Sequence, residues 1–282
     1  MLYQASGRRL SSRTYLTVSL ISLSLRWVAP GVSPTPRESA TRNRRGARDR
    51  GVLCLKARLG WHDNRREEGP PLYPARFAYT APTTLEEALA TLVEHGDEAK
   101  VLSGGQSLLP LLKLRLASVS HLVDIGRIPG LEYIREEDGF LRIGGRTRES
   151  ALERSDLVAS RYPILLDTAR VIADPLVRNR ATVGGNLCQR PRCWYFRNAE
   201  FNCLKKGGSM CFAIEGENQY HAIFGGGPCH IVHPSNLAPA LVALDASVEL
   251  KSWHATRQMK LADFLLGSYQ TALEPGELTG GA

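Results

Sequence analysis

A chain of 282 residues, 43% of them hydrophobic, has enough apolar material for two medium domains with real cores, so it does not depend on cross-links to fold. The net charge of +8 is unevenly placed: residues 1–75 carry 14 of the 36 Lys and Arg and 5 of the 28 Asp and Glu, leaving 22 basic and 23 acidic residues over 76–282. A near-neutral body argues against a nucleic-acid reader, because a basic tail alone supports only nonspecific phosphate attraction.

Residues 1–75 are rich in Arg, Ser, Pro and Gly, and runs such as "TRNRRGARDRG" have neither helical nor strand periodicity. They are expected to form a disordered basic tail. Within it, "YLTVSLISLSLRWVA" faintly resembles a targeting peptide, but it is too short and broken for a membrane span and no clear cleavage site follows. Met210 is the next methionine after Met1, and the favoured reading is a start placed too far upstream, with a tail that is not native.

The first organised signal begins at "FAYTAPTTLEEALATLVEHG". Thr83 with Glu86 and Thr84 with Glu87 have capping-box spacing, Leu85, Ala88, Leu89, Leu92 and Val93 form one apolar stripe, and Gly96 suits the C′ position. A helix is expected over about 84–95. "AKVLS" then reads as a buried strand, "GGQS" as a turn, "LLPLLKLRL" as a short helix and "SHLVDI" as a second strand. "LEYIREEDGFLRIGGRT" alternates with period two on both sides of Asp138-Gly139, a hairpin signal. Two helices are expected near 148–155 and 162–172, followed by the loop "ADPLVRNRATVGGNL", a cysteine-bearing segment, and "NLAPALVALDASVEL" as helix then strand. The order is that of an α+β protein rather than a regular βαβ array.

Two glycine turns carry the first chemical hint. Ser103-Gly104-Gly105-Gln106-Ser107 joins a strand to a helix, and Thr182-Val183-Gly184-Gly185-Asn186 follows a helix and loop. Glycine permits close approach and positive φ, so the amides of such turns can face a phosphate or pyrophosphate. Neither is GxGxxG and neither ends in the Lys-Ser/Thr of a P-loop. A dinucleotide held from two sides fits the pair.

Cysteines supply the second. Core packing suits Cys188, which continues the apolar "VGGNL", whereas "RPRCWYF", "EFNCLKKGG" and "GGPCH" place Cys193, Cys203 and Cys229 in polar or turn-like surroundings. Disulfides would need an oxidising compartment, for which no clean signal peptide speaks. Zinc usually shows closely spaced Cys pairs, absent here. An iron-sulfur cluster takes four thiolates and tolerates wide spacing.

The stretches "VLSGGQSLLPLLKLRLASVSHLVDI" and "RNRATVGGNL" resemble the two FAD-contacting motifs of the flavoprotein subunit of molybdenum hydroxylases, the family of xanthine dehydrogenase, aldehyde oxidoreductase and carbon monoxide dehydrogenase. The likeness covers residues 76–279. It implies an α+β, two-subdomain FAD-binding fold of the vanillyl-alcohol oxidase type, with a small subdomain over 76–130 and a larger one over 131–279. By motif match, Ser103, Gly104, Gly105, Gln106 and Ser107 would line the pyrophosphate, and Thr182, Gly184, Gly185 and Asn186 would complete the site. Asp124 in "LVDI" matches a structural position. Asn236 in "HPSNLAPAL" stands where the family usually has an acid that reaches FAD; it keeps hydrogen-bonding ability and loses the charge. Family members continue past "LEPGELTGGA" with a further α/β domain, so a truncated C-terminal domain is expected.

A subset similar to the 4-hydroxybenzoyl-CoA reductase flavin subunit and some aldehyde oxidoreductase flavin subunits carries a four-cysteine loop. Matching "RC", "NC", "MC" and "PCHIVHPS" to it implies Cys193, Cys203, Cys211 and Cys229 as ligands of a 4Fe-4S cluster in a loop over 188–233, with Cys188 left over. The implied function is an electron-transfer subunit without a catalytic side chain. Electrons from a molybdopterin-binding large subunit and the 2Fe-2S centres of a small subunit would pass through FAD and the 4Fe-4S cluster to an external acceptor. A cytoplasmic location is expected, with periplasmic export beside a partner as the alternative. The competing readings are a zinc-stabilised binding protein without redox function and an inactive fragment.

Overall fold

The structure is a computed structural model that describes residues 22–26 in backbone outline and residues 73–278 apart from 199. All of them fall in one compact unit. The first element is a strand, β1 (Ser22–Arg26), and this corrects the reading of the tail as disordered for these five residues. Their sequence, SLSLR, alternates with period two, a strand pattern too short to stand out from its Arg-rich surroundings. The rest of 1–72 lies outside the described residues.

The three-stranded sheet is built from β2 (Ala78–Thr80), β3 (Ala99–Leu102) and β4 (His121–Asp124) in the order β2-β4-β3, all parallel. Helix α1 (Leu85–His95) crosses from β2 to β3 and buries Ala88, Leu89 and Leu92 against Ala99, Val101, Val123 and Ile125. Its start is shifted by one within the expected capping box. Thr84 is the N-cap and accepts from the Glu87 amide, while the Glu87 carboxylate takes the amide of Thr83 at 2.9 Å. Gly96, at φ 48°, ends it as the stripe predicts. Helix α2 (Leu108–Lys113) leads from β3 toward β4.

The five-stranded sheet is antiparallel, with β1 between the hairpin β5 (Ile134–Glu137)/β6 (Phe140–Gly144) and the pair β7 (Ser247–Lys251)/β8 (Thr256–Lys260). Asp138 and Gly139 both have positive φ, 52° and 77°, which is the type I′ geometry that matches strand twist. Leu141, Ile143, Val248 and Leu250 of this sheet form the largest core with α5 (Pro163–Val171) and α9 (Leu237–Ala243), to which α3 (Glu149–Arg154) and α4 (Asp156–Arg161) also contribute. The expected loop after 172 contains two short helices, α6 (Pro175–Arg178) and α7 (Val183–Leu187). Asp174 accepts from the amides of Leu176 and Val177 to start α6, and Thr182 accepts from Gly185 to start α7. Each is barely one turn, below the length at which apolar periodicity can be read. Helix α8 (Trp194–Arg197) lies in the cysteine segment and α10 (Leu261–Phe264) follows β8. Among the described residues no helix is long and apolar enough to cross a membrane.

Leu165 of α5 is fully buried, whereas Val171 at the end of the same helix is 67% exposed. Leu165→Ala is expected to lower stability by about 2–5 kcal/mol in urea unfolding, through lost transfer energy plus a cavity. Val171→Ala is expected to stay within about 0.5 kcal/mol.

Candidate cofactor site

Between β3 and α2 the chain turns through Ser103–Ser107. Gly105 has φ +75°, in the region that favours glycine. Gly104 needs glycine for another reason: a Cβ there would stand against the carbonyl oxygen of Arg180 and 2.9 Å from the Ala181 Cα, both backbone atoms that cannot swing aside. The loop ahead of α7 therefore rests on the first glycine turn. Beside this contact the Ser103 and Thr182 hydroxyls lie 3.1 Å apart. Two motifs 79 residues apart are thus joined directly.

The two turns differ in what their backbones offer. Among the described residues, the amides of Gly104, Gly105, Gln106 and Ser107 make no hydrogen bond within the protein. In the second turn the amides of Val183, Gly184, Gly185 and Asn186 are used: Val183 donates to Thr147, Gly184 to Gly145, Gly185 to the Thr182 hydroxyl and Asn186 to the Thr182 carbonyl. The first turn is a nest of free donors suited to an anion. The second is a brace, tied to the link between β6 and α3.

Both turns open on one cavity of about 310 Å³, within the range of small-molecule sites. Ser103, Gly104, Gly105, Gln106 and Ser107 line it from one side, and Thr182, Gly185, Asn186 and Asn236 from the other. Gly184 is buried behind them and does not reach it. Asn236 precedes α9 with no capping bond from its side chain. Lining residues not assigned to this cavity from the sequence include Lys100, Glu149, Cys188, Arg190 and Arg192. Burial pushes the Lys100 ammonium down to about 8, although it still donates to the Asp97 carbonyl at 2.7 Å. Burial also pushes the Cys188 thiol well up, which suits an inert packing role. Three basic side chains and a turn of unpaired amides fit a phosphate-bearing ligand.

Behind the second turn runs a buried polar chain. The Asn186 amide donates from Nδ2 to Glu149 Oε1 at 2.6 Å, its Oδ1 accepts from the Ser235 hydroxyl at 2.5 Å, and Ser235 Oγ accepts from the Ala238 amide at 2.9 Å. Burial raises the Glu149 carboxyl to about 7, against the opposing effects of the Asn186 bond and the Arg178 charge. Arg178 braces this region by pairing with Glu153 at 2.9 Å and donating to the Ile172 carbonyl.

The cysteine segment forms its own small core. Cys193 and Cys211 are buried with Tyr195, Ala213 and Ile231, and Cys229 and Tyr269 pack against them. Burial pushes the Cys193 thiol up, and the neighbouring Cys203 and Cys229 push the same way. The same three sulfurs, after burial, raise the Tyr269 hydroxyl. Cys203 and Cys229 thus both act on Cys193, and Cys193, Cys211 and Cys229 share this small core; Cys188 packs in the main core instead. Cys193 Sγ also lies 3.3 Å from His221 Nε2. Among the described residues, no three His, Cys, Asp or Glu side chains converge closely enough to hold a single metal ion.

The chain resembles known proteins over this same region. It is 36% identical over 208 residues to the carbon monoxide dehydrogenase medium chain of Hydrogenophaga pseudoflava, covering 73% of this chain and 58% of that one. It is 38% identical over 211 residues to the FAD-binding subunit of aldehyde oxidoreductase from Escherichia coli (strain K12), covering 72% and 66%. The solved structure of carbon monoxide dehydrogenase from Hydrogenophaga pseudoflava lacking the Mo-pyranopterin moiety superposes with a TM-score of 0.55 at 35% identity, covering 73% of this chain and 57% of that one. The chain thus spans between about half and two thirds of the length of these relatives. Residues 75–280 match the family described as FAD binding domain in molybdopterin dehydrogenase, and the chain belongs to that family.

Proposed function

We propose that the cavity between the two glycine turns holds FAD and that the chain acts as the flavin-bearing subunit of a molybdopterin-dependent oxidoreductase of the aldehyde or xanthine type. The observation that carries this is the convergence of both turns on one cavity, with four unpaired amides on the Ser103–Ser107 side. Those amides and Ser103 would hold the pyrophosphate. Thr182, Gly185, Asn186 and Asn236 would close the opposite wall, with Gly184 packing behind. FAD supplies the redox chemistry when bound, and the protein supplies position and electrostatics. Relatives named as medium chains and FAD-binding subunits support a molybdopterin-binding large subunit and an iron-sulfur small subunit as partners, with an external acceptor downstream. The two sheets joined at the cavity agree with a two-subdomain flavoprotein fold of the vanillyl-alcohol oxidase type.

The finer proposal is that Cys193, Cys203, Cys211 and Cys229 hold a 4Fe-4S cluster, an additional one-electron relay beside the flavin. Cys193, Cys211 and Cys229 share one apolar core, and Cys203 is buried near enough to Cys193 to push its thiol up, which supports it. A polynuclear cluster sets its four sulfurs farther apart than a single ion does, so the same gathering suits it better than zinc.

Full-length protein is expected to purify yellow, with about one FAD released per chain on heating. Soluble, folded protein that neither carries nor takes up FAD would overturn the assignment. Gly104→Ala pushes the first turn off Arg180, and FAD affinity is expected to fall at least tenfold in equilibrium dialysis. Cys211→Ser is expected to lose bound iron while retaining FAD; unchanged iron content, or none in the unmutated protein, rejects the cluster.

A further inference from the structure

Glu149 is 1% exposed, lines the cavity, and has one carboxyl oxygen satisfied by Asn186 while the other, Oε2, is buried with no hydrogen-bond partner in the protein. A buried oxygen left in that state costs on the order of 1–3 kcal/mol, so the site implies a partner that arrives with a ligand. We propose that Glu149 is a ligand-contacting residue of the cavity, its neutral carboxyl donating from Oε2 to an acceptor on the bound flavin nucleotide while Oε1 fixes the Asn186 amide. This rests on the FAD reading above.

Three features favour the neutral, donating form. Glu149 is the single carboxylate among the described residues lining the cavity, and its ionisation would set a further buried negative charge near a ligand that already carries phosphates. The charge that acts on it is Arg178 on α6, and the other charged residues lining the cavity are Lys100 on β3 and Arg190 and Arg192 beyond α7. Arg178 is committed to Glu153 and the Ile172 carbonyl, so it does not neutralise Glu149 through a direct bond. Finally, Asn186 has its orientation set by Ser235, whose hydroxyl proton goes to Oδ1. Nδ2 is left to donate to Oε1, and the carboxyl proton belongs on Oε2.

The folded-state value near 7 makes the role measurable. A ligand that needs the protonated carboxyl binds more weakly as pH rises above about 7, by up to tenfold per unit. The experiment is equilibrium dialysis of FAD against full-length apoprotein between pH 6 and pH 9, for the native sequence and for Glu149→Gln, which keeps a donor at every pH. Native affinity is expected to fall at least tenfold across this range, while that of Glu149→Gln stays within threefold. Melting temperature without flavin provides a second readout. The folded carboxyl binds its proton more tightly than the unfolded one, so the native protein is expected to lose stability relative to Glu149→Gln as pH rises from about 4.5 to about 7 and to hold that difference above it. Equal pH slopes of FAD affinity in the two proteins overturn the role of Glu149 and leave the flavin site standing. Absence of FAD binding by both at pH 6 overturns the flavin reading and this inference with it.

Discussion

The approach of Gly104 to the Arg180 carbonyl is the constraint on which the site depends. It lets the turn after β3 and the loop before α7 lie closer than any side chain would permit, and the Ser103–Thr182 hydroxyl contact fixes them there. Without that contact the parallel and antiparallel sheets would share no polar seam at this point, and the cavity would be two half-sites. The asymmetry follows from the same geometry. The second turn spends the Val183 and Gly184 amides on residues 147 and 145 and the Gly185 and Asn186 amides on Thr182, so it can serve as a fixed wall; the first keeps its amides free because it is held from outside.

The local elements were largely legible. The capping spacing of Thr84 and Glu87, the Asp138-Gly139 turn, and the apolar runs at 99–102, 121–124 and 237–243 each carry a signal complete within a few residues. What was hidden depends on distance. Strand β8 reads eccentrically as TRQMK, with no residue buried, and is a strand because it pairs with β7. Strand β1 likewise acquires its state from β6 and β7 on either side. In the site, both glycine motifs announced themselves, but the removal of Gly184 to the second rank and the entry of Lys100 and Glu149 into the lining follow from how the loops pack. Glu149 had no sequence signal at all: it sits in "TRESALER", a stretch that reads as an ordinary helix start.

The cysteine segment shows a different route to order. Among its described residues it has one short α-helix and a 3-10 turn at Leu204–Lys206, and its stability comes from aromatic contact: Tyr195 packs edge-on to Phe201 and stacks on Phe212, Trp194 meets His221 and Tyr220, and Phe196 lies against Tyr269. The thiols of Cys193 and Cys211 are enclosed by these rings rather than by regular structure. The loop follows α7 directly, so the sulfur-rich core and the cavity share a single stretch of chain, with Phe196 belonging to both.

The joining of residues 79 positions apart at Ser103 and Thr182 makes the cavity a property of the whole fold rather than of either motif. A ligand held there binds only the closed, folded chain, so occupancy and folding are thermodynamically linked. At a free concentration one hundred times its dissociation constant, such a ligand adds about 2.7 kcal/mol to stability. That is a large fraction of what a typical domain possesses. A ligand that fills this cavity would therefore set how much of this chain survives proteolysis, before any question of turnover arises.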